Sequence, residues 1–110
     1  MKKINIVKEN NEYSRIIKTG RKIYSKNVTF FLEDNKDNYL FGFSIGKKIG
    51  NAVTRNRIRR QIKSILDKKN YEKKFKCIIM VRKGILDLTY QEIENEIFYL
   101  IKKANLIEEK

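Results

Sequence analysis

Between Ala52 and Lys68, two sets of side chains with opposite needs share one segment. Thr54, Ile58, Ile62 and Ile65 recur at helical spacing, with Leu66 on their shoulder, and line up as an apolar stripe on an α-helix. At about 100° per residue, Asn56, Arg59, Arg60 and Lys63 fan across the opposite side, with Arg57 at its edge. Such a helix must lie on the outside of a core, isoleucines inward and arginines outward. Arg55 falls nearer the apolar stripe, which predicts a side chain that snorkels or bonds locally.

The outward face needs a partner. From Lys47 to Lys63 there are seven basic residues and no acidic one, and four of the seven are arginines between positions 55 and 60. Arginine is sparse elsewhere, at Arg15, Arg21 and Arg82 only. Planar guanidinium forks match phosphate oxygens two at a time. The whole chain carries a net charge of +13. Charge so far from neutrality points to a polyanion, with nucleic acid first and an acidic membrane surface a distant second.

A chain of 110 residues forms one domain with one core, needing no disulfide or metal staple. Its single cysteine, Cys77, allows no internal disulfide, which fits a reducing cytoplasm. Ile4, Ile6 and Val7 run into Lys8 and Glu9 rather than an apolar stretch, so no signal peptide is expected and no segment reaches the length of a membrane span. Residues 1–8 read as a loosely held basic tail.

The remaining elements follow from periodicity. Asn10 or Asn11 can cap a helix with Tyr13, Ile16 and Ile17 on one side, closed by Gly20 in the left-handed conformation. A strand is expected from Ile23 to Glu33, where Val28, Phe30 and Leu32 alternate with Thr29 and Phe31. The turn residues Asp34 to Asn38 predict a hairpin into a second strand, Tyr39 to Gly46. There Tyr39, Phe41, Phe43 and Ile45 point one way. Leu40, Gly42, Ser44 and Gly46 leave the other face nearly bare, with room for something to approach. After the arginine helix and a polar connector at Asn70 to Lys74, Phe75 to Arg82 is apolar on both faces, as a central strand is. Gly84 breaks it. Thr89 and Glu92 form a capping box, Leu88 can staple to Ile93, and Ile93, Ile97, Leu100, Ile101 and Ala104 form the inner stripe of a last helix. The expected order is α-β-β-α-β-α: an α+β fold with a crossover helix between its second and third strands.

Catalytic chemistry is hard to find. Histidine, the commonest general base, is absent. Cys77 sits in an apolar strand and reads as buried and structural. Asp34 and Asp37 read as turn residues, and Glu92, Glu94 and Glu96 as charges favoured at a helix N-terminus, rather than as a two-metal centre. No small-molecule site is suggested. Phe31 shares a sheet face with Gly42 and Ser44, so two readings stand: a base-stacking surface, or contact with the first helix. The open classes are a ribosomal or general RNA-binding module and a DNA-reading helix, while a self-contained nuclease is disfavoured by the missing catalytic groups. The DNA reading lacks the preceding helix of a helix-turn-helix.

The run from Gly42 to Arg57, with Lys47-Lys48-Ile49-Gly50-Asn51-Ala52-Val53 followed by Arg55-Asn56-Arg57, resembles the signature of the protein subunit of bacterial ribonuclease P. The early helix ending at Gly20, the pair Arg82-Lys83 and the start Leu88-Thr89-Tyr90 fall in that family's order. The resemblance implies a two-layer sandwich like the second domain of a ribosomal small-subunit protein, with a left-handed β-α-β crossover. It implies two RNA partners, a catalytic ribonuclease P RNA and precursor tRNA, and magnesium bound mainly by the RNA. By position, Lys47, Lys48, Arg55, Asn56, Arg57, Arg59, Arg60 and Lys63 are implied to contact the RNA subunit. Tyr13, Ile17, Phe31 and Ser44 are implied to hold the single-stranded 5′ leader. Ile17 stands where the family usually has an aromatic ring, which implies apolar contact there instead of stacking.

Overall fold

Three α-helices and four strands form in the order α1 (Asn10–Thr19), β1 (Arg21–Tyr24), β2 (Val28–Asp34), β3 (Leu40–Ser44), α2 (Ala52–Leu66), β4 (Phe75–Val81) and α3 (Tyr90–Lys103). The computed structural model describes residues 10–107, and the tail expected at residues 1–8 lies outside them. The sheet order is β1-β2-β4-β3. β1 pairs with β2 and β2 with β4 antiparallel, while β3 and β4 run parallel, joined through α2.

Two expectations about the strands are corrected. The single strand from Ile23 to Glu33 is a hairpin, β1 and β2, which makes the order α-β-β-β-α-β-α. Ser25, Lys26 and Asn27 turn the chain. The Ser25 amide donates to the Val28 carbonyl at 2.8 Å and its hydroxyl donates to the same oxygen at 3.2 Å. The Asp34 to Asn38 turn, in contrast, closes no hairpin, because β4 lies between β2 and β3. β4 is the strand with apolar residues on both faces, and only a central place buries both. The turn is held locally, by the Asn35 side-chain amide donating to the Asn38 carbonyl at 3.0 Å.

The sheet's two faces differ in size. Val28, Phe30, Leu32, Phe41, Cys77 and Ile79 meet Ile58, Ile62 and Ile65 of α2 and Ile93, Ile97 and Leu100 of α3 in the main core. On the other face α1 alone sets Ile16 against Phe31 and Ile78, with Tyr13, Ile17, Leu40 and Met80 half-buried around them. Cys77 is fully buried, and burial pushes its thiol well up, away from the reactive thiolate. Thr54, expected in the inner stripe of α2, is only half-buried.

The helix ends explain where the layers sit. α1 already contains Asn10 and Asn11, so neither stands outside it as a cap. Gly20 does end α1, but not in the left-handed conformation, which among the described residues Asn105 alone adopts. Its reason is proximity: a β-carbon there would lie 2.5 Å from the Ile16 carbonyl and 2.9 Å from that of Leu32. The capping box of α3 forms as expected, with Glu92 N–H donating to Thr89 Oγ1 at 3.1 Å and Thr89 N–H to Glu92 Oε1 at 2.9 Å. At its far end Asn105, at φ 59°, lets Leu106 donate back to Ile101 and bury its side chain. A short 3-10 helix at Lys83–Asp87, absent from the sequence reading, buries Ile85 after Gly84. No helix among the described residues is long and apolar enough to cross a membrane.

Candidate nucleic-acid interface

Asn51 starts the arginine helix: its side chain accepts the Thr54 amide at 2.9 Å. The angular pattern then emerges with an exchange at its margin: Arg57, expected at the edge, is exposed, while Arg59 and Lys63, expected in the outward fan, are half-buried. Ile58, Ile62, Ile65 and Leu66 are buried; Asn56, Arg57 and Arg60 are exposed; Arg59 and Lys63 are half-buried at the margin. Arg59 Nη1 donates to Asn56 Oδ1 at 2.6 Å, which fixes one guanidinium edge and leaves the other free. Lys63 reaches back until its ammonium lies 5.8 Å from the Phe43 ring centre. Among the described residues, none of the four helix arginines pairs with a carboxylate. Their charge is therefore left for an external polyanion. Arg55 lies half-buried as expected, but its Nε is enclosed without an acceptor, so local bonding does not satisfy it. Lys47 and Lys48 are exposed on the turn before α2, which the Ile49 amide closes onto the Gly46 carbonyl at 3.0 Å.

α1 and α2 lie on opposite faces of the sheet, and β3 is the edge between them. Tyr13 bridges that edge. Its hydroxyl end lies so close to Gly42 that a β-carbon there would fall 2.7 Å from the phenol oxygen and from Ile78 Cδ1. Burial raises the Tyr13 pKa, while a hydrogen bond with the Phe43 backbone and the nearby Arg59 charge pull it partly back. The phenol of α1 and the guanidinium of α2 thus share one neighbourhood. α1 is fixed in this place on its other side: Arg15 donates to both Glu33 oxygens, at 2.5 and 2.8 Å, and Lys76 pairs with Glu12. Arg15 holds the Glu33 carboxyl below the usual carboxylate range.

Beyond Tyr13, at the C-terminal ends of the parallel strands β3 and β4, opens a groove of about 450 Å³. Ser44, Met80 and Ile49 line its floor, and Lys48, Arg82 and Lys83 its rim. An apolar floor with a cationic rim suits a flexible strand that offers bases to one and phosphates to the other. The structure thus brings Ser44 and Lys48 into one groove; Tyr13 and Ile17 do not line it, Tyr13 lying at Gly42, two residues before Ser44 on β3, and Ile17 half-buried on the same helix. It does not bring Phe31 there: that ring is 8% exposed, packed against Ile16 and Ile78. Of the two readings of Phe31, contact with the first helix is the correct one, because α1 lands directly on it. Met80, Arg82 and Lys83 were missed as site residues. The signal was available in strand parity, since Met80 pairs with Ser44. Finding it required knowing that β4, not β2, is the neighbour of β3. A second hollow, of about 420 Å³, mixes Glu33 and Asp34 with Lys73 and Lys74 and offers no field of single sign.

A family model described as Ribonuclease P matches residues 1–105. The ribonuclease P protein component of Streptococcus pyogenes serotype M5 (strain Manfredo) is 34% identical over 110 aligned residues, covering 98% of this chain and 92% of that relative. The solved RNase P protein of Staphylococcus aureus superposes with a TM-score of 0.85 at 28% identity, covering 94% of this chain and 98% of that one. The RNase P protein from Thermotoga maritima has the same fold, with a TM-score of 0.80 at 19% identity over 94% of this chain and 97% of that one. Family match, full-length relatives and shared fold agree, and the chain belongs to the ribonuclease P protein family.

Proposed function

We propose that this chain is the protein component of ribonuclease P, which works with a catalytic RNA to remove the 5′ leader from precursor tRNA. One observation carries the reading: the uncompensated arginine face of α2 and the basic-rimmed groove adjoin each other across β3. Two RNAs must approach the same place during cleavage, and their phosphates repel. Arg57, Arg59, Arg60 and Lys63, with Asn56 and Lys47, face the RNA subunit and neutralise part of that repulsion. Tyr13, Ile17 and Ser44 receive the leader, joined by Met80, Lys48, Arg82 and Lys83. Phe31 acts from beneath, as the support on which α1 and its Tyr13 rest.

Hydrolysis falls to the RNA and its magnesium. This chain has no histidine, and its cysteine is buried. No carboxylate lines the groove, Glu12 and Glu33 beside α1 are engaged by Lys76 and Arg15, and no group of three metal-ligating side chains forms among the described residues. These donors do not fit a protein-held magnesium ion. The chain's contribution is binding and positioning, in the cytoplasm where tRNA matures. Reconstitution with a bacterial ribonuclease P RNA and precursor tRNA at low magnesium tests the reading. The expected result is stimulated cleavage at the mature 5′ end and none by protein alone. Cleavage by the protein alone would make it a nuclease. Binding to many structured RNAs without stimulation would make it a general RNA-binding module.

A further inference from the structure

We propose that Tyr24 is a second stacking platform for the leader, beyond the groove, so that this protein gains affinity from leader nucleotides farther from the cleavage site. The proposal rests on the leader reading above and extends it to a residue outside the family signature.

Among the described residues, Tyr24 is one of three large hydrophobic residues that are exposed, at 58%; the others are Val53 at 76% and Tyr99 at 53%. Val53 stands at the start of the arginine helix, and Tyr99 on α3 in the opposite layer. Tyr24 lies on the groove's own face. Strand parity fixes this: Ile23 packs into the main core and Arg21 donates to the Ala104 carbonyl on that side, so Lys22 and Tyr24 point the other way. Register then places Tyr24 opposite Thr29, Thr29 opposite Met80, and Met80 opposite Ser44. The four residues form one rung across the sheet, with Tyr24 at one end and the groove at the other. Three strand spacings of about 4.8 Å separate Tyr24 from Ser44 by about 14 Å.

Two further contacts suit this rung to RNA. The Lys22 ammonium lies over one face of the Tyr24 ring, 5.5 Å from its centre, a cation that a phosphate can draw on as a base stacks on the ring. Arg82, on the groove rim, donates to the carbonyls of Ser25 at 3.0 Å and Lys26 at 3.4 Å. The turn that carries Tyr24 is thereby tied to the groove, and the platform is held in place before RNA arrives. A leader leaving Ser44 passes over half-buried Met80 and above buried Thr29 before it meets Tyr24.

The test uses the reconstituted holoenzyme, precursor tRNA with a short leader that reaches Ser44 but not Tyr24, precursor with a long leader, and mature tRNA. Wild type should bind the long-leader precursor about tenfold more tightly than the short-leader one. Y24A should lose that increment while keeping its affinity for short-leader precursor and mature tRNA, and Y24F should retain it. 2-Aminopurine in the distal leader should be quenched by wild type and Y24F but not by Y24A. If wild type prefers precursor over mature tRNA but Y24A keeps the long-leader advantage, the platform is wrong and the leader reading stands. If wild type shows no preference for precursor, both fall.

Discussion

Gly42 decides how closely Tyr13 can lie on β3. A β-carbon there would meet the phenol oxygen and Ile78 Cδ1 at 2.7 Å, a distance that ring and strand must open to accept. Gly42→Ala should therefore lower unfolding stability by about 1–3 kcal/mol, read from urea midpoints at unchanged slope. Glu33 makes a prediction in pH. Arg15 lowers its pKa in the fold, so the folded state binds fewer protons there than the unfolded one. The stability this adds is complete above the unfolded value, about 4.3, and is lost as pH falls through the depressed one. Arg15→Met should flatten that acid loss: urea midpoints of variant and wild type should converge as pH drops below about 4. Among single residues, Cys77 was legible because an apolar strand surrounds it on both sides in sequence. Phe31 was not, because its neighbour is decided by where α1 lands rather than by anything near position 31.

The arginine helix is the element the chain states most openly. Its stripe, cap and outward face are set by residues within a few turns of each other, and helical periodicity is local. Asn51→Ala removes the cap on Thr54 and should cost about 1 kcal/mol. In a thermal melt this appears as a fall of about 4–8 °C. The strands were less legible for the complementary reason. The Ser25-Lys26-Asn27 turn contains neither glycine nor proline, so a hairpin looked like one strand. Turn chemistry after Asp34 correctly marked a reversal but could not say which strand would fill the space beside β2. The apolar faces of β4 held that information, and only as a preference for a central position.

At the scale of the molecule, part of the charge behind the net +13 is gathered on two surfaces that meet at β3. The outer face of α2 is cationic and polar, while the groove is apolar with a cationic rim. A charge contact and a stacking contact respond differently to salt. Arg60→Ala should weaken binding to the RNA subunit and reduce the slope of log K against log salt by about one. The arginine surface could be read from sequence because it belongs to one helix. The groove needed β3, β4 and the residues after each to be brought together, which is why Ser44 was anticipated and Met80, Arg82 and Lys83 were not. The most direct test of this division of labour measures, for one set of variants, both affinity for the RNA subunit and the holoenzyme's preference for precursor over mature tRNA. Tyr13→Ala should erase most of the preference and leave RNA-subunit affinity near wild type, whereas Arg59→Ala with Arg60→Ala should do the reverse. Loss of both quantities in both variants would contradict the account, since a single undivided RNA surface would then explain the protein.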